Sequence, residues 1–119
     1  MQQQRSRIDF HFHPNFPFAV PVLGEALAHV KAAKIWEMLK LHSISAIVVS
    51  EHVYRKPRTT FEFLEAHRPP NHPTLLMPGM EILSEEGAEI IVFAKEPQYI
   101  FTQPLLMEPW STPMRDIVQ

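Results

Sequence analysis

From Arg7 to His13 the chain alternates strictly, with Ile8, Phe10 and Phe12 on one side and Asp9, His11 and His13 on the other. This is the period of a β-strand, and it points the two histidines the same way. Pro14, Pro17 and Pro21 forbid continued pairing, so residues 14 to 22 read as a loop rich in Phe and Pro. Good helix formers follow from Leu23 to about Leu41. There Leu23, Leu27, Val30, Met38 and Leu41 fall on one stripe at helical spacing, which predicts an amphipathic helix packed by that stripe. Glu25, His29 and Trp36 fall away from it, so His29, like His42, is expected on a solvated surface. Lys34 interrupts the stripe and is expected to snorkel its ammonium past the apolar groups, the alternative being to point it into a site.

Ala46-Ile47-Val48-Val49 is a short continuous apolar run, the signature of a parallel strand covered on both faces, and it leads into Ser50-Glu51-His52. A short helix is predicted from Thr60 to about His67, stopped by Arg68-Pro69-Pro70-Asn71-His72-Pro73. A third strand is predicted from Leu75 to Glu81. Glu85-Glu86-Gly87-Ala88 then turns the chain into a fourth, Glu89 to Ala94, making a hairpin. Beyond Pro97 the prolines at 104, 109 and 113 break regular structure. The tail, 98–119, is expected to be irregular or to dock through Phe101, Leu105, Leu106 and Trp110. Strand, helix, strand, helix, strand and hairpin define an α/β class with a parallel sheet in a single domain, 1–119.

Composition narrows the chemistry. At 119 residues, 45% hydrophobic and 20% charged, the chain suits one globular core. No apolar run approaches the roughly 18 residues of a membrane span. Met1-Gln2-Gln3-Gln4-Arg5 leads into charge, so a soluble, cytoplasmic protein is the expectation. The absence of cysteine removes disulfides, thiolate nucleophiles and sulfur-ligated zinc. Any metal must be held by imidazole and carboxylate, and seven histidines are available. A net charge of −2, with Tyr54-Arg55-Lys56-Pro57-Arg58 as the one basic run, leaves no footprint for general nucleic-acid binding; a nucleotide substrate stays open.

In α/β architectures functional groups gather at the carboxyl ends of the strands. Here the three predicted parallel strands end in His11-Phe12-His13, Glu51-His52 and Gly79-Met80-Glu81, each offering a metal ligand. Apolar strands have no need of imidazole or carboxylate at their ends, and one shared metal site accounts for all three. His-x-His on a strand sets its two residues about 6.5 to 7 Å apart on one face, within reach of one ion or two adjacent ions. Glu81 would complete the shell, and Gly79 would let backbone pass close to it. Asp9 and Glu51 are the carboxylates available to orient ligating imidazoles from behind, the alternative for Asp9 being a plain strand-end hydrogen bond. His67 and His72, in the Pro-rich connection, are expected to bind nothing. Arg55 and Lys56 follow His52 on the loop that overhangs the same rim, and they are either a solvated loop or a seat for a phosphate.

At these residues the chain resembles the PHP (polymerase and histidinol phosphatase) family of metal-dependent phosphoesterases. Asp9-Phe10-His11-Phe12-His13 is similar to its first motif, Asp-x-His-x-His. Ala46 to His52 resembles its second, an apolar strand ending in Thr-Asp-His, and Gly79-Met80-Glu81 its third, Gly-x-Glu. The resemblance spans roughly residues 7 to 95. It implies a partial (βα)7 TIM-like barrel and two or three divalent ions (Zn, Mn or Fe). It also implies hydrolysis of a phosphorylated small molecule or nucleotide by a metal-bound hydroxide. His11, His13, His52 and Glu81 would be ligands, Glu81 and His52 would take part in catalysis, and Arg55 and Lys56 would steady the phosphate. The chain departs from the pattern at Glu51, where Asp is usual, at Glu89-Ile90, where a histidine is common, and between Pro14 and Ala28, which contains no histidine. A complete barrel of this type needs on the order of 200 residues. A fragment, a partner-completed assembly such as a homo-oligomer, or a reduced relative is therefore expected. Two alternatives stay open: a non-catalytic PHP-like scaffold of an RNA-processing complex, and an amidohydrolase-like metal hydrolase.

Overall fold

A computed structural model describes residues 6–20 and 23–102. Its elements are β1 (Ile8–Phe12), α1 (Gly24–Leu41), β2 (Ala46–Val49), α2 (Pro57–Ala66), β3 (Leu75–Leu83) and β4 (Glu89–Phe93), with single 3-10 turns at Val53–Arg55 and Pro97–Tyr99. The strands form one sheet in the order β1-β2-β3-β4, in which β1, β2 and β3 are parallel and β4 runs antiparallel to β3. The chain is thus mixed α/β. The predicted hairpin is present, turning through Gly87 at φ 84°. β2 is buried along its whole length, as a strand covered on both faces must be.

The sheet curls. Strand spacing of about 4.8 Å would hold the edge strands of a flat four-stranded sheet roughly 14 Å apart. Yet the rings of Phe10 on β1 and Phe93 on β4 meet with centroids 5.7 Å apart. The convex side carries the core, where Phe16, Trp36, Ile47, Val49, Leu64, Leu76, Met80 and Ile82 join one buried cluster. On the concave side, among the described residues, Ile8, Phe10, Leu75, Leu83 and Phe93 are each about half exposed or close to it.

Two expectations are corrected. The first is the face by which α1 packs. Leu23, Leu27, Val30, Met38 and Leu41 are exposed, whereas Gly24, Ala28, Ala32, Trp36 and Leu39 are buried. The helix turns a row of small side chains inward because the chain before it lies too close for large ones: a Cβ at Gly24 would stand 2.4 Å from the carbonyl oxygen of Pro17. Trp36 closes that row. Its indole N–H donates to the Leu64 carbonyl at 2.9 Å, and the Arg68 guanidinium lies over its ring at 4.6 Å. Lys34 is exposed.

The second correction concerns β1, whose alternation is not strict. Asp9 stands opposite Ile47 and Phe12 opposite Val49, so Phe10 and His11 together face the single residue Val48. This is a β-bulge, a device that re-aims side chains beside functional sites. Asp9 and Phe12 consequently line the same cavity against α1, of about 470 Å³, while Phe10 turns to the concave side.

α2 begins at Pro57, three residues before the predicted start at Thr60. Lys56 caps it in the left-handed region at φ 53°, and Pro57, with its fixed φ, takes the first helical position. The irregular tail is described to Thr102, with Ile100 and Phe101 buried in the core; Leu105, Leu106 and Trp110 lie outside the described residues. Among the described residues no helix is long and apolar enough to cross a membrane.

Candidate metal centre

β3 does two jobs. Its first half pairs with β2 as far as Val49 opposite Pro78, and its second half pairs with β4 from Gly79 opposite Phe93. Gly79 sits at the changeover, where a Cβ would come within 2.8 Å of both Val48 Cγ1 and the Val92 carbonyl oxygen. Only glycine lets the three strands approach this closely. Beyond it the backbone meets the continuation of β2: the Glu81 N–H donates to the Glu51 carbonyl at 2.9 Å, and His52 and Glu81 form an isolated bridge. On the other flank Ser50 ties down the end of β1, with its hydroxyl accepting from the Phe12 N–H at 2.8 Å. Three strand ends are thereby drawn to one point.

At that point His11 Nε2 lies 2.7 Å from His13 Nε2 and 3.1 Å from Glu81 Oε1, and His13 Nε2 lies 3.6 Å from Glu81 Oε2. His11, His13 and Glu81 form a group whose ligand atoms all fall within 4.8 Å of one another, the one such group among the described residues. A tetrahedral ion with bonds of about 2.0 to 2.1 Å spaces its ligand atoms by roughly 3.3 Å. The observed separations bracket that value, so the group can hold a metal ion. The donor set, two imidazoles and one carboxylate, is that of a borderline divalent cation.

Glu51 decides which nitrogen of His13 is offered. Its carboxylate is buried, at 1% exposure, and accepts from His13 Nδ1–H at 3.0 Å, from the Asn15 N–H at 2.9 Å and from the His52 N–H at 3.2 Å. A carboxylate can only accept, so His13 Nδ1 carries a proton and Nε2 is the nitrogen turned toward His11 and Glu81. Among the described residues no buried side-chain polar atom lacks a partner, these buried carboxylates included.

His52 reaches the cluster differently. Its Nδ1 lies 2.7 Å from Glu81 Oε2, and its ring is stacked between those of His13, at 4.5 Å, and Tyr54, at 5.0 Å. It therefore holds Glu81 rather than joining the three ligand atoms. Asp9 orients no imidazole; it accepts from the His11 backbone N–H at 2.9 Å, pinning the bulge. Arg55 and Lys56 line a cavity of about 250 Å³ that Phe16, Tyr54 and Thr60 also border and that Glu51 reaches. The basic residues thus share that carboxylate's neighbourhood with the cluster.

Sequence reasoning passed over Ser50, Asn15 and Tyr54. Asn15 follows Pro14 at φ 50°, and Asn is the residue most tolerant of that region after Gly, a signal that could have marked it. Ser50 and Tyr54 carry no such mark. His42 is exposed, as expected of it. His72 is held by structure alone, with Nε2 2.8 Å from the Trp36 carbonyl. His29 is exposed, yet it does not stand alone, since His67 lies against it. No family model, curated protein or solved structure matches the chain.

Proposed function

We propose that the chain carries the metal-binding part of a PHP-type hydrolase acting on phosphoesters, in a half-barrel that a further segment or a partner completes. The observation that supports this most is the convergence of His11, His13 and Glu81 at the carboxyl ends of parallel strands, with His13 locked from behind by buried Glu51.

In this reading His11, His13 and Glu81 hold one ion, and a second draws on His52. A divalent ion so placed supplies Lewis acidity to a phosphoryl oxygen and brings the pKa of a bound water toward neutrality. Glu51 keeps His13 in its ligating form. Glu81 is kept in place by the His52 Nδ1 contact, which leaves Nε2 of His52 to face the second ion. Arg55 and Lys56 supply the cationic rim that a phosphate monoester or diester needs, the fork of Arg giving direction and Lys a point charge. The half-exposed Ile8, Phe10, Leu75, Leu83 and Phe93 on the concave face support completion by another segment or a second copy, since a patch of this kind marks an interaction surface.

The test is a phosphomonoester and phosphodiester hydrolysis screen on metal-loaded protein. Metal-dependent turnover that disappears in His13→Ala supports the proposal. Stoichiometric metal with no hydrolysis of any phosphoester, in the presence of its natural partner, would leave a metal-binding scaffold instead.

A further inference from the structure

Away from this cluster, α1 and α2 bring two more imidazoles together, with His29 Nδ1 lying 2.6 Å from His67 Nε2. Their other contacts fix which nitrogens face each other. His67 Nδ1 is 2.8 Å from the Phe63 carbonyl oxygen; a carbonyl only accepts, so Nδ1 carries the proton and Nε2 presents a lone pair. On the far side of His29, Nε2 faces Glu25 Oε1 at 3.8 Å, one helical turn earlier. His29 Nδ1–H donates to the His67 lone pair, and Glu25 lies near enough to pair with a proton on Nε2 once the Nδ1 proton is displaced. The shared proton occupies the place between the two nitrogens that a divalent ion, releasing it, can take.

Each ring is also held in place. Phe63 packs against both, with centroids 5.2 Å from His29 and 4.4 Å from His67. The His29 side chain is 50% exposed, so the pair is open to ions from solvent. An imidazole backed at its remote nitrogen by an oxygen acceptor is the habit of metal-ligating histidine; His67 has one in the Phe63 carbonyl, and Glu25 stands 3.8 Å from the remote nitrogen of His29.

We propose that His29 and His67 form a second, peripheral site for an imidazole-preferring divalent ion of the Zn²⁺, Ni²⁺ and Cu²⁺ class, with Glu25 orienting His29 from behind. Seating a tetrahedral ion requires the two nitrogens to part from 2.6 Å to roughly 3.3 Å, a change within the reach of an exposed side chain. Because the ligands come from α1 and from the residue that caps α2, separated by 38 residues, the ion would clip the two helices together. The site rests on neither the phosphoester reading nor the first cluster.

Calorimetric titration with Zn²⁺ tests this in protein carrying His11→Ala and Glu81→Ala, which lacks the first site. One Zn²⁺ per chain is expected, with affinity reduced at least tenfold by adding His29→Gln, a change on an exposed helix surface that leaves the fold undisturbed. Zn²⁺ should also raise the unfolding temperature of the parent and not of the His29→Gln protein. If the double variant does not fold, the native chain and His29→Gln alone are compared, and they should differ by one Zn²⁺ per chain. Affinity within about twofold after His29→Gln, or no Zn²⁺ uptake by folded parent protein, overturns the proposal.

Discussion

Replacing Glu51 with Gln removes a charge while keeping volume and shape, and the consequence follows from its three donors. The carboxylate accepts from His13 Nδ1–H, the Asn15 N–H and the His52 N–H through its two oxygens. A carboxamide has one oxygen and one NH₂. If the NH₂ is placed toward Asn15, donor meets donor in a buried site; if it is placed toward His13, that imidazole must accept on Nδ1 and carry its proton on Nε2. The second arrangement abolishes the lone pair that faces His11 and Glu81. Loss of such a supporting partner typically costs 10- to 100-fold in metal affinity, which is about 1.4 to 2.7 kcal/mol. The first arrangement leaves a buried donor unsatisfied, at about 1 to 3 kcal/mol of stability. Glu51→Gln should therefore bind Zn²⁺ at least tenfold more weakly in a chelator-competition assay, or unfold measurably earlier, and long-range ¹⁵N NMR of His13 should show the proton moved to Nε2 where the second arrangement is adopted. Folded Glu51→Gln with native stability, native Zn²⁺ affinity and the proton still on Nδ1 would refute the reasoning.

Other expectations follow from the same geometry. Gly79→Ala forces a methyl within 2.8 Å of a backbone oxygen, and overpacking of this kind costs roughly 1 to 3 kcal/mol, visible as a lower unfolding temperature. Trp36→Ala should cost about 3 to 5 kcal/mol, whereas Leu27→Ala, on the exposed stripe, should stay within about 0.5 kcal/mol in denaturant titrations; the reverse order would mean that α1 packs by its other face. Arg55→Ala should raise KM for a phosphoester substrate with metal content unchanged, and a fall in metal content instead would place Arg55 in the ion site rather than on its rim.

The elements were legible in the sequence because their signals are local: the buried apolar run of β2, the prolines closing the loops, and Gly87 in the hairpin turn. The contributions of Trp36 and of the bulge were not. α1 has two apolar faces side by side, and choosing the larger side chains ignored how closely Gly24 and the preceding loop bring the helix to its neighbours. The bulge at Phe10 and His11 arises from pairing with β2, which the alternation within β1 cannot report. At the site, the residues named from strand ends do meet. What sequence could not show is the division of labour, in which Glu51 supports His13, Asp9 supports backbone, and His52 holds Glu81. Those roles depend on which oxygen lies within about 3 Å of which nitrogen, a property of the assembled sheet.

His11, His13 and Glu81 form a group that can hold an ion, and the proposed function depends on their doing so. His11 is the cleanest place to test it, because its side chain is 55% exposed and truncation removes a ligand without opening the core. Elemental analysis of native protein and His11→Ala, purified side by side without chelators, measures this directly. Native protein should carry Zn, Mn or Fe at one equivalent per chain or more, and the variant should lose at least one full equivalent. Native protein that is metal-free and takes up none on dialysis, or a variant with its complement undiminished, would contradict the assignment.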